Sequence, residues 1–193
     1  MKLLFICADA YAFLERHRKD PSKARLTISC HGNDLRQVEI NDISMGANQF
    51  SQEIRKWMNG EDIHSLRTIR LVACKTANLD PATYRARLGA SDSHYWSSAF
   101  GAQLSLFFPN VHIKSYVGFV VGTCPTDTMW ERYQELGRAQ IEIALKDFFS
   151  IDKFVDLNDV DESPFRCITF LNGVAVKESQ QITHERGNDY FPL

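Results

Sequence analysis

Apolar runs alternate with stretches of helical period along most of this chain. Lys2 to Ala8 reads as a buried strand, Ala10 to Lys19 as a short helix, and Ala24 to Cys30 as a second strand approached through the Pro21-Ser22 turn. Residues 33 to 48 are polar and read as a loop or small hairpin around Val38-Glu39-Ile40. Phe50, Ile54, Trp57 and Met58 then recur at helical spacing, and Asn59-Gly60 ends that helix. Thr68 to Ala73 is the third strand. Residues 94 to 108 carry Trp96, Ala99, Phe100, Leu104 and Phe107 on one helical stripe, closed by Pro109-Asn110 before the apolar run Val111 to Val121. The βαβαβαβ order predicts an α/β fold, a mostly parallel central sheet with helices on both faces.

The last third is plainer. Met129, Tyr133, Leu136, Gln140, Leu145 and Phe148 predict one long helix over 127–149, with Gly137 its weak point. The acidic stretch Asp152 to Glu162 is expected as a surface loop. Phe165 to Phe170 and Val174 to Lys177 flank Asn172-Gly173, the strongest short hairpin signal, so an antiparallel edge should follow. Residues 178–193 are expected as a mobile or docked tail. No repeat or linker divides the chain, which predicts a single domain over 1–193.

Composition permits a sizeable core: of 193 residues, 44% are hydrophobic and 24% charged. A formal net charge of −2 supplies no overall basic field, so non-specific binding to nucleic acid or membrane is not favoured, and protein or small-molecule partners are. The N-terminal apolar run is too short for a secretory signal, and no segment is long enough to span a membrane. One basic run, Arg16, His17, Arg18, Lys19, Lys23 and Arg25, could hold an anion such as phosphate, although a solvated helix face is the plainer expectation. The five cysteines, at 7, 30, 74, 124 and 167, have neither CxxC nor zinc-finger spacing. No metal, cofactor or disulfide framework is therefore expected, and a reducing, cytoplasmic compartment fits.

Two segments carry chemistry. Thr27 to Asp34 and Ile69 to Asn78 each run an apolar strand into a reactive side chain, His31 in one and Cys74 in the other. Sites in open parallel sheets form beyond the carboxyl ends of strands, and both residues fall there. A thiol acts as a nucleophile only as thiolate, and a nearby imidazole supplies the base. Gly32 leaves room for a substrate backbone, and its N–H together with that of Cys74 could hold an oxyanion. The other histidines are weaker candidates: His17 and His184 are expected to be exposed, and His64 sits in the loop before the third strand. His94 belongs to a helix cap, and His112 should face solvent or be satisfied locally. The segment Gly122-Thr123-Cys124 with Asp127 is a possible cleft wall, but Thr126 or Asp127 more simply caps the following helix.

An apolar strand ending in His31-Gly32, followed by another ending in Ala73-Cys74, resembles the caspase-like (clan CD) cysteine peptidases. That clan includes caspases, metacaspases, clostripain, gingipain, CHAT domains and the self-cleaving domains of large bacterial toxins. Cys74 lies 43 positions after His31, compatible with the roughly 50 that separate the pair in caspases. Lys75-Thr76-Ala77 departs from the caspase pattern and is most similar to the CHAT form and the compact toxin domains. The resemblance spans about residues 1–125, with roughly a dozen carrying it. It implies a caspase-like three-layer sandwich and an endopeptidase acting on a protein, a peptide or itself. In that reading Cys74 attacks the carbonyl, His31 assists proton transfer, and no third carboxylate is required. It also implies a substrate pocket near Asp9 and Val72: the first could pair with a basic residue, and the second carries no charge. A bacterial, viral or effector-type protein delivered into a host cell suits the chain's size. Two other readings stay open, a catalytically silent binding or scaffold protein and a cysteine-dependent acyl transferase or deamidase. A retained His31/Cys74 pair argues against the silent form.

Overall fold

The computed structural model describes residues 1–17, 19–33, 35–78, 95–117, 120–122, 124–148, 154–155 and 166–180. The chain opens with β1 (Lys2–Cys7) and turns through Ala8-Asp9 into β2 (Ala10–Arg16), where a helix is expected from the sequence. Tyr11 and Phe13 lie on one face of the sheet and Ala10 and Ala12 on the other, all buried. Burial on both faces removes the alternation that marks a strand and leaves a continuous apolar run, which periodicity cannot tell from a short helix.

β3 (Ala24–Ser29) follows, then a small sheet of β4 (His31–Gly32), β5 (Val38–Ile40) and β6 (Ile43–Met45). Asn41 and Asp42, both with positive φ, make the two-residue turn between β5 and β6. Helix α1 (Ala47–Trp57) buries Phe50 and Ile54 one turn apart, and Arg55 and Lys56 in its last turn complement the negative end of its dipole. β7 (Leu66–Val72), α2 (Phe100–Ser105), β8 (His112–Val117) and β9 (Val121–Gly122) come next, with a 3-10 turn at Tyr95–Ser98 ahead of α2. Helix α3 (Thr126–Phe148) is broken at Gly137, whose φ of 73° and ψ of 169° are not helical. Thr126 and Asp127 therefore lie in its first turn. β10 (Phe154–Val155) pairs with β9, and β11 (Arg166–Leu171) turns through Asn172-Gly173 into β12 (Val174–Gln180) as expected. The remainder of the acidic segment and residues 181–193 lie outside the described residues.

The main sheet has seven strands in the order β1-β2-β3-β7-β8-β11-β12. Only β3–β7 and β7–β8 are parallel; the four outer pairs are antiparallel. The expectation of a mostly parallel sheet is thus corrected to a mixed sheet with a parallel centre, because β1–β2 and β11–β12 are hairpins. Leu26, Ile28, Ile69, Leu71, Ile113 and Phe170 pack under α1 and α2. On the opposite face, Tyr11, Phe13, Val72, Tyr116 and Cys167 meet Met129, Ile141 and Leu145 of α3. Helix α3 also protects the sheet edge: Glu142 accepts from the Leu3 N–H at 3.0 Å, and Arg138 donates to the Leu3 carbonyl at 2.7 Å. Among the described residues no helix is long and apolar enough to cross a membrane.

Candidate active site

β3 and β7 are parallel neighbours, with Ser29 opposite Val72, and the Cys30 N–H continues the pairing by donating to the Val72 carbonyl at 3.2 Å. The two chains therefore leave the sheet side by side, one into His31-Gly32 and the other into Ala73-Cys74. They touch at once. A Cβ on Gly32 would lie 2.0 Å from the carbonyl oxygen of Cys74 and 3.1 Å from its nitrogen, so only a residue without a side chain fits. The absent side chain brings the β4 backbone against the Cys74 backbone itself.

Beyond Cys74 the chain turns sharply. Lys75 has φ of 58°, the left-handed region that a non-glycine residue occupies at a cost. Thr76 locks the turn: its hydroxyl donates to the Ala73 carbonyl at 3.0 Å and accepts from the Tyr116 N–H at 3.4 Å, while its carbonyl accepts from Gly101 at 2.9 Å. The Cys74 sulfur is half-buried and tethered on its other side, accepting from the Val120 N–H at 3.4 Å and facing the Val120 carbonyl at 3.5 Å. A corner braced by β8 and α2 thus presents the thiol.

His31 is exposed and lies in β4 directly opposite Glu39 of β5, which in turn lies opposite Ser44 of β6. Cross-strand partners project from the same face, so Glu39 is the carboxylate that register places beside the imidazole. The clan resemblance requires no carboxylate; the alternation of Val38-Glu39-Ile40 across from His31-Gly32 is the sequence signal that points to this one. Asn33 secures the hairpin mouth, its side-chain oxygen accepting from the N–H groups of Leu35 and Gln37 at 3.0 and 3.2 Å.

The two residues expected to line a substrate pocket are otherwise occupied. Asp9 sits in the β1–β2 turn, where one oxygen accepts from the Asn41 N–H at 2.6 Å and the other from the Cys7 thiol at 3.0 Å. It ties the sheet edge to the β5–β6 turn. Val72 is 2% exposed and packs with Tyr11, Phe13 and Tyr116. Cys30, directly after β3, is buried, and burial, with Asp9 and the neighbouring thiols adding to it, pushes its thiol well above the usual range. All five cysteines are free thiols. Among the described residues no cluster of three or more His, Cys, Asp or Glu side chains is placed to hold a metal ion. His94 and His184 lie outside those residues, and His64 is exposed.

Comparison with protein-family models, with curated proteins and with solved structures gave no match.

Proposed function

We propose that this chain is a cysteine endopeptidase with a caspase-like sandwich, cleaving a protein, a peptide or itself. One observation carries the reading: Gly32 rests against the Cys74 backbone at a distance no other residue permits, which holds the His31 strand and the Cys74 corner together. In this mechanism the Cys74 sulfur attacks the substrate carbonyl carbon, with Gly32 and Cys74 N–H groups holding the oxyanion. His31 takes the thiol proton and delivers it to the leaving amine, so the C–N bond breaks and a thioester remains. Water, deprotonated by the same imidazole, then releases the acid and regenerates the thiol. Glu39 serves as a positioning residue for the imidazole.

Because both oxygens of Asp9 already accept hydrogen bonds, selection for a basic residue before the cleaved bond is not the preference this site favours. The test is digestion of a peptide library by the wild type and by Cys74→Ala and His31→Ala, read by mass spectrometry, alongside labelling with a thiol-directed peptidyl electrophile. Cleavage that requires both residues is the expected result. Absence of Cys74-dependent cleavage together with absence of labelling at Cys74 would overturn the proposal, whereas labelling without hydrolysis would favour acyl transfer or deamidation at the same thiol.

A further inference from the structure

Beyond the dyad, one more group touches the sulfur. Val72 packs on the α3 face of the sheet and Ala73 on the α1 face, so the alternation of β7, continued past its end, carries the Cys74 side chain back to the α3 face. There it meets Val120. Among the described residues the sulfur makes two hydrogen bonds, both with the Val120 backbone: the N–H donates to the sulfur at 3.4 Å, and the thiol donates to the carbonyl at 3.5 Å. His31, exposed in β4, makes neither of them.

The fold fastens this donor from several directions. Val120 lies in neither β8, which ends at Val117, nor β9, which begins at Val121, so its N–H belongs to no ladder. Its side chain is 5% exposed and packs with Tyr11, Val72, Tyr116 and Met129 under α3. The next two residues, Val121 and Gly122, pair with Val155 and Phe154 of β10. Cys124 is buried as well, and its carbonyl accepts from the Tyr11 hydroxyl at 2.5 Å. The backbone that meets the sulfur is thus held by groups outside the chemistry, and it keeps its place while charge on the sulfur comes and goes.

Two opposing effects meet at this contact. The Val120 carbonyl accepts the thiol proton and so favours the neutral form, whereas the N–H favours the charged one. A thiol is a weak donor and a weak acceptor, but a thiolate takes part in the stronger, charge-assisted bond. The N–H therefore prevails: a buried backbone donor faces an atom that satisfies it well only as thiolate. We propose that the Val120 N–H is a catalytic group, holding the Cys74 sulfur as the nucleophilic thiolate alongside His31. The inference rests on Cys74 being the nucleophile of the proposed endopeptidase. The S–H bond breaks, its proton passes to the His31 imidazole, and the electron pair stays on sulfur, where the Val120 bond tightens. Attack moves that pair into the new S–C bond and negative charge onto the carbonyl oxygen, and the Val120 bond relaxes. When water splits the thioester the pair returns to sulfur, and the N–H steadies the departing thiolate until the imidazole, protonated by that water, gives the proton back.

The size of the effect leads to a distinctive pH signature. A hydrogen bond to a charged group shifts an equilibrium by about ten- to a hundredfold, so loss of the N–H lowers the thiolate fraction near neutral pH by that factor. The thiolate that remains is the better nucleophile, because reactivity rises as roughly the half power of basicity. Together these leave a loss of about three- to tenfold near neutral pH. Where the sulfur is fully ionised only the gain in nucleophilicity survives, and the rate rises by about three- to tenfold. A group that only shapes or shields the pocket changes the rate in the same direction at every pH.

The test is the rate of thiol–disulfide exchange at Cys74 of the full chain with the neutral probe 2-hydroxyethyl disulfide, followed by peptide mass from pH 5 to pH 10. The wild type is compared with Val120→Pro and with a chain carrying α-hydroxyisovalerate at position 120, an ester that loses only the N–H. Both should exchange about three- to tenfold more slowly near neutral pH and faster at the alkaline end, so that their profiles cross that of the wild type. Val120→Ala, which keeps the N–H, should show no crossing. In a His31→Ala background the crossing should persist, because the N–H acts on the sulfur directly. A measurement on the unaltered backbone does not depend on any variant at position 120: the wild-type Val120 amide resonance should titrate with the midpoint of the exchange profile, and in Cys74→Ala that titration should vanish. Profiles that coincide or are displaced in one direction throughout, a crossing that needs His31, or an amide resonance indifferent to Cys74 would each overturn the proposal. Neither readout uses peptide hydrolysis. Loss of the crossing with cleavage intact therefore removes only the role of Val120, whereas a crossing without cleavage keeps that role for acyl transfer at the same thiol.

Discussion

Gly32 and Cys74 are packed backbone against backbone: a methyl group added to the glycine would lie 2.0 Å from the Cys74 carbonyl oxygen. The histidine hairpin and the cysteine corner thus have one way of fitting together, and its tolerance is less than a single carbon atom.

Gly32→Ala should therefore cost far more activity than stability. Val38, Ile40 and Met45 anchor the β4–β6 sheet in the core, so the clash shifts the β4 backbone locally at an overpacking cost of about 1–3 kcal/mol, and that shift carries His31 away from the thiol. Misplacement on the scale of an ångström costs roughly a hundredfold in rate. Urea denaturation and turnover of a substrate found by library digestion measure the two quantities; a variant with wild-type turnover would show that the hairpin has no part in the reaction.

Cys74 should be the first thiol alkylated by iodoacetamide near neutral pH. Burial and the Asp9 carboxylate push Cys7 to about 11, burial pushes Cys167 to about 11, and it raises Cys30 and Cys124 as well. These four are held as thiols, and only the thiolate reacts. Peptide mapping after brief labelling should find Cys74 modified at least about tenfold faster than Cys7, the other partly exposed cysteine.

Stability should fall at both ends of the pH range. His17 and His112 titrate lower in the fold than in the unfolded chain, which binds more protons around pH 6; stability therefore rises as pH climbs through that region and is lost as it falls. Above about 9 the sign reverses, because Cys7 and Cys167 keep their protons in the fold up to about 11 while the unfolded chain releases them. Lys114, at about 8 in the fold, works against that upper loss. Thermal unfolding from pH 5 to pH 10 checks the shape, and His17→Asn should flatten the acid limb.

Glu15→Gln should destabilise the fold by about 3 kcal/mol, since it leaves the Arg25 guanidinium without its carboxylate. Arg25 is fully buried and Glu15 nearly so, at 2.8 Å, and the fully buried Arg70 lies within its field. Denaturant midpoints of the wild type and the variant decide it. A change below about 0.5 kcal/mol, typical of exposed pairs, would mean that water reaches the guanidinium.

What could be read from the sequence was what local chemistry encodes. Asn172-Gly173 formed its hairpin because both residues accept positive φ, at 49° and 83°, and α1 formed where Phe50 and Ile54 mark a stripe. β2 is not legible as a strand, because burial on both faces removes the alternation. The consequence extends downstream: a helix over 10–19 makes the basic run a solvated face, whereas in the sheet His17 and Arg25 are buried. Placing His31 and Cys74 at strand ends needed only the apolar runs before them. The positions of Asp9 and Val72 depended on partners distant in sequence, Asn41 in one case and the α3 side of the core in the other, and neither leaves a local signature.

β7 ends two residues short of the thiol. Hydrogen-bonded to a neighbour on each side, its seven residues form a ruler of about 20 Å. The thiol corner is therefore mounted on the end of a strand paired on both sides, and amide exchange along Leu66–Val72 should be among the slowest in the chain.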